Sequence, residues 1–468
     1  MRAKKKSSGA AKSRTKQASS SLSDPRRLHG IIADVLRLAK NAGAEAAEVH
    51  VDEVLDDLTR FANNAIHQNV SEHGLTVSLR TVVDGRTARV TTNRIDEDSL
   101  RTAIDSCLSL AASQPKDPKL LPLPGKQRYR DVDRFTRATA AVTPEDRARA
   151  VRRACDLAIK KGQVAAGIFS TGQSQSAMGN SRGLRAAYRE THAEFSITMQ
   201  EAPAASWAKA NAGDVRQFAA QALAAQASHK AHLAVDAKEH PTGKYTVILE
   251  PAAALDLVGF LFYDFAATAL ADKRSCLNDR MGKPLFGKNI TIADDVYHPL
   301  QMGAPFDGEG MPRERVLLVD RGVPKNLVYS RAAAKAARKS PTGHGFALPN
   351  EYGEAPMNLV FTGGDSSLEQ MIASTERGLL VTRIWYIREV EPYEKIMTGM
   401  TRDGLFLVEK GRVTSAVKNF RFNQSLLEAL RNVELLGPAV RATGEEAFEM
   451  VMPAMKIRDF HFTEVTKF

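Results

Sequence analysis

Before residue 235, segments with apolar residues at helical spacing alternate with segments of strand-like pattern. The spacing of Ile31, Ile32, Val35, Leu36 and Ala39 predicts a helix from about Leu28, with Gly43 as its stop. Strand patterns follow at Ala47–Val51 and Leu58–Phe61. A further pair, Leu75–Leu79 and Thr87–Val90, is joined through Asp84-Gly85, which is hairpin chemistry. Leu100, Ala103, Ile104, Cys107, Leu108 and Ala111 then predict a helix capped near Asp96 or Asp98, with one apolar face to lay on the sheet. Residues 113–142, rich in Pro, Lys and Asp, read as a connector. Thr143-Pro144-Glu145-Asp146 supplies an N-cap, a proline at the first helical position and first-turn acids for a helix running to Gly162. Strands are predicted at 165–170 and, after Asn180-Ser-Arg-Gly183, at 184–199. A helix using Val215, Phe218, Ala219, Ala222 and Leu223 closes the series. The order helix, strands, helix thus occurs twice, which hints at duplicated architecture.

His240-Pro-Thr-Gly243 marks the break to a second domain. Short strand patterns dominate beyond it, at Tyr245–Leu249, Arg315–Asp320, Leu327–Tyr329, Leu359–Phe361, Leu379–Tyr386, Gly404–Glu409 and Arg412–Val417. A single apolar stretch, Ala252 to Leu270, reads as one long buried helix with Leu255, Val258, Leu261, Phe262 and Phe265 as a packing stripe. The expected class is α+β: a helix and antiparallel-sheet domain over 28–240, then a strand-rich domain over 241–468.

Composition narrows the class. The 468 residues suit two domains, and 43% hydrophobic with 25% charged residues is ordinary for a globular protein. No apolar run is long enough for a membrane span and the N-terminus lacks a secretion signal's apolar core, so a cytoplasmic protein is expected. The net charge of +11 is concentrated: residues 1–27 hold nine Lys or Arg against Asp24 alone, leaving +3 for the rest. That Ser, Ala and Lys-rich segment reads as a disordered, solubilising tail, with no specific nucleic-acid module behind it. Cys107, Cys155 and Cys276 lack CxxC spacing and read as reduced core residues.

The candidate chemistry is sparse. His344, in Thr-Gly-His-Gly, is flanked by glycines that permit close backbone approach, to a ligand or within a tight turn. Asp307 and Glu309, in Phe-Asp-Gly-Glu-Gly, are the acids placed to line a cleft, bind a peptide amine or meet a partner's basic patch; a solvated turn is the alternative. His229 and His232 have metal-pair spacing, but their place in the last turns of a helix fits its carbonyl end better. Asp294-Asp295 lacks calcium-loop spacing. No nucleophile elbow or phosphate-binding glycine loop occurs.

Many short stretches, in one order, resemble the TldD/PmbA family from about residue 30 to the end. They include Arg60-Phe-Ala-Asn-Asn-Ala-Ile-His-Gln-Asn69, Asn180-Ser-Arg-Gly183, Ser275-x-Leu-x-Asp279, Pro305-Phe-Asp-Gly-Glu-Gly310, Ser340-Pro-Thr-Gly-His-Gly345, Gly378-Leu-Leu-Val-Thr382 and Met452-Pro-Ala-Met-Lys-Ile457. One branch of that family implies a cytoplasmic protease of small or unstructured peptides, whose zinc is held by the two His of His-Glu-x-x-x-His and a later Cys. The other, PmbA-like or TldE branch lacks these ligands and pairs with the first. Here an ungapped register from the strand at 245–249 puts Gly259 and Asp264 at the His positions and Phe260 at the Glu. No His-Glu dipeptide occurs anywhere, and no cysteine follows Cys276. The resemblance therefore implies no catalytic or metal-binding residue in this chain, zinc in a partner, and a zinc-bearing homologue, or self-association, as the assembly. Two alternatives stand beside it: a non-enzymatic peptide-binding scaffold, and an enzyme with an unrecognised ligand set such as His344 with Asp307 or Glu309.

Overall fold

The computed structural model describes residues 22–466. Most of the predicted basic tail lies outside them, and the first helix, α1 (Pro25–Asn41), takes in Arg26 and Arg27 because Asp24 caps it with Pro25 in its first turn. Strands β1 (Ala46–Ala62), β2 (Ala65–Val83) and β3 (Arg86–Thr92) follow, then helix α2 (Glu97–Ser113) with Asp96 as N-cap. Asp84 and Gly85 both take left-handed conformations, as the predicted hairpin turn requires. After the short α3 (Arg137–Ala140) comes α4 (Pro144–Lys161). The Thr143/Asp146 capping box and a left-handed Gly162 bound it as expected. Strands β4 (Val164–Asn180), β5 (Arg185–Glu201) and β6 (Ala204–Ala212) then lead to α5 (Ala220–Leu233).

These six strands form one antiparallel sheet in the order β3-β2-β1-β4-β5-β6. The duplication hinted at in the sequence is thus real: two helix, three-strand, helix units meet through their first strands. Alternate residues of β1, from Val49 and Val51 to Phe61, face one side. On it α1 and α2 bury Ile32, Val35, Leu100 and Ile104, and α4 and α5 bury Val151, Ala154, Ala224 and Ala227. The helix predicted from Val215 begins instead at Ala220 and buries Ala220, Ala224, Ala227 and Ala231.

Beyond residue 242 two further sheets form. Strands β7 (Gly243–Leu249), β12 (Arg377–Glu391), β13 (Ile396–Glu409), β15 (Phe420–Ser425) and β19 (Met455–Val465) close a circuit β12-β7-β19-β15-β13-β12, with β14 (Arg412–Ala416) beside β13 and β16 (Val433–Leu436) beside β19. The second sheet runs β10-β9-β8-β11-β18-β17, from β8 (Ile292–Asp294), β9 (Val316–Asp320), β10 (Val323–Pro324), β11 (Leu359–Phe361), β17 (Val440–Ala442) and β18 (Met450–Met452). Alternation on the circuit sorts Val247, Leu249, Leu379, Val381, Leu405 and Leu407 into the main core, while Ile248, Leu380, Phe406 and Val408 join a smaller one. The class is α+β, but the expected long helix is not continuous. It is divided into α6 (Pro251–Val258), a 3₁₀ stretch Gly259–Phe265 and α7 (Ala267–Ala271). The break coincides with the side-chain anchoring of Asp264, whose Oδ1 accepts from the Cys276 N–H at 2.7 Å and whose Oδ2 pairs with Lys395 at 2.6 Å. Leu327–Tyr329 makes only a single bridge, Val328 to Ala266.

Polar contacts tie the two parts together. Buried Lys230 of α5 reaches Glu250 at the end of β7 at 2.5 Å, Tyr129 donates to the Gly310 carbonyl, and Arg441 donates to Asn211.

Candidate functional site

The structure brings Asp307, Glu309 and His344 together, on two loops that interlock below the surface. All three are at most 4% exposed. Asp307 Oδ1 accepts from the N–H groups of Glu309 (2.9 Å) and Met311 (2.8 Å), and Oδ2 from that of Gly345 (2.7 Å). Glu309 Oε2 accepts from the Arg331 N–H at 2.8 Å. Both ring nitrogens of His344 are engaged, Nε2 with Asp294 and Nδ1 with Thr342, each at 2.9 Å. The glycines serve this interlock: a side chain at Gly345 would strike Glu309, and one at Gly308 the backbone at Ala347. Burial pushes the Glu309 carboxyl up to about 7, opposed by the Arg331 N–H and reinforced by Asp307. Asp307 is also raised by burial, against its three N–H donors. For Asp294 burial acts upward too, but the His344 ring prevails and holds it below the usual carboxylate range.

The family register falls on the turn after α6. Gly259 lies against Ala447, and a side chain at 259 would collide with the Ala447 Cβ. Phe262 packs edge-on against Phe448 with ring centroids 5.3 Å apart. The segment 444–448 is held there by Asp256, a fully buried carboxylate one turn earlier. Its Oδ1 accepts from the N–H groups of Glu445 (3.1 Å), Glu446 (3.0 Å) and Ala447 (3.2 Å). Burial raises this acid to about 6 despite those donors. Glu446 in turn accepts from the N–H of Tyr386 at 2.7 Å, holding that residue in a left-handed conformation. Zinc chemistry needs three protein donors around an open position. Glycine, phenylalanine and an aspartate already committed to Lys395 do not fit it. Among the described residues no group of three or more His, Cys, Asp and Glu is placed to hold a metal ion. His232 of the helical His pair reaches Glu201 at 2.9 Å, in the last turn of α5.

A third place was not anticipated from sequence. An open groove of about 980 Å³ runs between the start of β6, the end of α5 and strand β13. Both tryptophans of the chain stand at it or beside it: the Arg383 guanidinium lies between Trp207 at 4.8 Å and Trp385 at 4.9 Å, and Arg402 covers Trp385 at 4.9 Å. A bulge aims these groups, since β13 places Asp403 and Gly404 opposite Thr382 alone, with both in left-handed conformations. Asp403 is claimed by buried Arg383 at 2.8 Å, and Lys418 by Glu239 at 2.8 Å. Arg402 stays half exposed, its nearest acid being Asp403 at 3.7 Å. The available signal was the pair of tryptophans, the rarest side chain here.

This architecture, two repeated helix and sheet units joined to a strand-rich domain, has known relatives. Residues 242–464 match the model of the PmbA/TldA metallopeptidase C-terminal domain, and residues 47–111 that of PmbA/TldA metallopeptidase domain 1. The chain belongs to the PmbA/TldD family. A metalloprotease of Methanocaldococcus jannaschii is 25% identical over 45% of this chain and 47% of its own length. Metalloprotease PmbA of Escherichia coli O157:H7 is 27% identical over 46% of each. The chain thus spans about half the length of the curated relatives it matches. The crystal structure of TldE from Thermococcus kodakarensis superposes with a TM-score of 0.83 at 19% identity, covering 93% of this chain and 100% of that one; at that identity the likeness speaks for the fold.

Proposed function

We propose that this chain is a metal-free subunit of a cytoplasmic zinc peptidase complex, working with a zinc-bearing homologue on small or unstructured peptides. The observation that carries the reading is the donor set after α6. Gly259 and Phe260 offer no ligand, Asp264 is spent on Cys276 and Lys395, and segment 444–448 closes over the turn. Such a surface would contribute walls and peptide contacts, with the ion and its activated water supplied by the partner. The absence of any helix long and apolar enough to cross a membrane among the described residues is compatible with that setting.

The test is reconstitution. The isolated chain is expected to carry no stoichiometric zinc and to cleave no peptide, and to co-purify with a His-Glu-x-x-x-His homologue whose chelator-sensitive cleavage it raises. One tightly bound zinc per chain, with cleavage by the chain alone, would falsify the reading.

A further inference from the structure

We infer that the groove between β6 and β13 binds the carboxy-terminal end of an extended peptide, with Arg402 receiving the terminal carboxylate. The inference deepens the reading above and rests on its peptide chemistry.

Size and walls come first. A volume of about 980 Å³ is at the upper end for small-ligand pockets and admits several residues of an extended chain. One part of its apolar wall is small, with Ala204, Ala205, Ala234 and Ala237, and the rest is larger, with Trp385, Met400 and Leu405. The groove also borders the end strand of a sheet. Among the described residues β5 is the one ladder partner of β6, and Ala204 and Ala205 at the start of β6 line the groove.

Charge then selects the ligand's end. Of the charged groups among the described residues that line the groove, Lys418 is matched by Glu239, and Asp403 accepts from Arg383 at 2.8 Å. That leaves Arg402, 3.7 Å from Asp403 and without a side-chain hydrogen bond to any described residue, its side chain 49% exposed and its guanidinium 4.9 Å from the centre of the Trp385 ring. A guanidinium over an aromatic face keeps its N–H donors free for a further partner, and that fork matches a carboxylate in bidentate fashion. Arg402 lies beside Asp403 and Gly404, whose left-handed backbone makes the bulge, so its placement is set by the main chain.

Trp385 lies against Arg402, so binding is readable from intrinsic emission and, independently, from the anisotropy of a labelled peptide. The full chain is titrated with acetyl-Ala-Ala-Ala-Ala-Val as the free acid and as its carboxamide, each also made with fluorescein in place of the acetyl group. Saturable binding of the acid is expected, with the amide weaker by ~10-fold or more, the size of one lost charge-assisted pair. Arg402→Gln should weaken the acid to the level of the amide and leave the amide unchanged, with an unaltered thermal midpoint showing that the fold is kept. Equal binding of acid and amide, an Arg402→Gln chain that still prefers the acid, or no saturable anisotropy change with either peptide each overturn the inference. The outcomes separate from those of reconstitution. Assembly and cleavage with a groove blind to carboxylate remove the groove alone, whereas acid-selective binding by a chain that never joins a zinc-bearing homologue removes the subunit reading alone.

Discussion

Asp307, Glu309 and His344 on one side, and Arg402 with Trp385 on the other, show how little residue type says about use. The first set has the chemistry usually sought in a site, yet both Asp307 oxygens, Glu309 Oε2 and both His344 nitrogens are met by the chain's own N–H groups and side chains. The second is a cation and an indole from one irregular strand pair, and its guanidinium is half exposed with no side-chain hydrogen bond to a described residue. Saturated polar groups fix architecture, and unsaturated ones at a surface are available for recognition.

That contrast can be broken most forcefully at Asp307. Replacement by Ala strands the N–H groups of Glu309, Met311 and Gly345, and should cost about 4 kcal/mol of unfolding free energy in urea titrations. A loss below about 1 kcal/mol would mean that the interlocked loops carry little stability. Next in size is the pH response of Glu309. Its folded value of about 7 lies above its ordinary 4.5, so the folded state holds the extra proton across that interval. Stability is then fully present below the lower value and declines as pH rises through the upper one, by roughly 3 kcal/mol at most. Asp256, raised from 3.8 to about 6, adds in the same direction. Glu309→Gln should flatten the Glu309 part of the profile between pH 4.5 and about pH 7, and an unchanged slope would show that this carboxyl is not the source.

Asp256→Ala should cost about 2 kcal/mol and speed amide exchange at Glu445, Glu446 and Ala447, the three donors it holds. Protection unchanged at those amides would exclude the latch. The smallest stability effect belongs to Arg402→Gln, expected within about 0.5 kcal/mol of the parent because the side chain is half exposed. A large destabilisation there would move Arg402 to the architectural side of the comparison.

Legibility in the sequence followed local physics. The Thr143 cap, the Gly162 stop and the Asp84-Gly85 turn are set by neighbouring residues and stand where the pattern placed them. β1 was read as two strands because Asp52 to Asp57 breaks the apolar alternation. Within it Glu53 is buried, accepting from Ser23 and Gln175 and paired with His73, partners contributed by distant segments. β6, Ala-Ala-Ser-Trp-Ala-Lys-Ala-Asn-Ala, has no β-branched residue and acquires its extended form from pairing with β5. The run 252–270 is apolar on all sides, so periodicity could not show that Gly259–Phe265 tightens into a 3₁₀ turn. Asp256 was the local sign that something polar waits in that core, being the only charge between Pro251 and Tyr263. The groove draws Ala204, Ala234 and Arg402 from three remote segments, and no spacing rule joins them.

The doubled helix and strand unit has its own consequence. With the two copies back to back through β1 and β4, each shields the other's innermost backbone, and only β3 and β6 are left as rims. Changes at those rims need not disturb the seam, because each rim lies two strands away from it. The borders are accordingly unlike: β3 sends Arg89 to the Leu348 carbonyl and to Glu48, while β6 sets Trp207 among alanines.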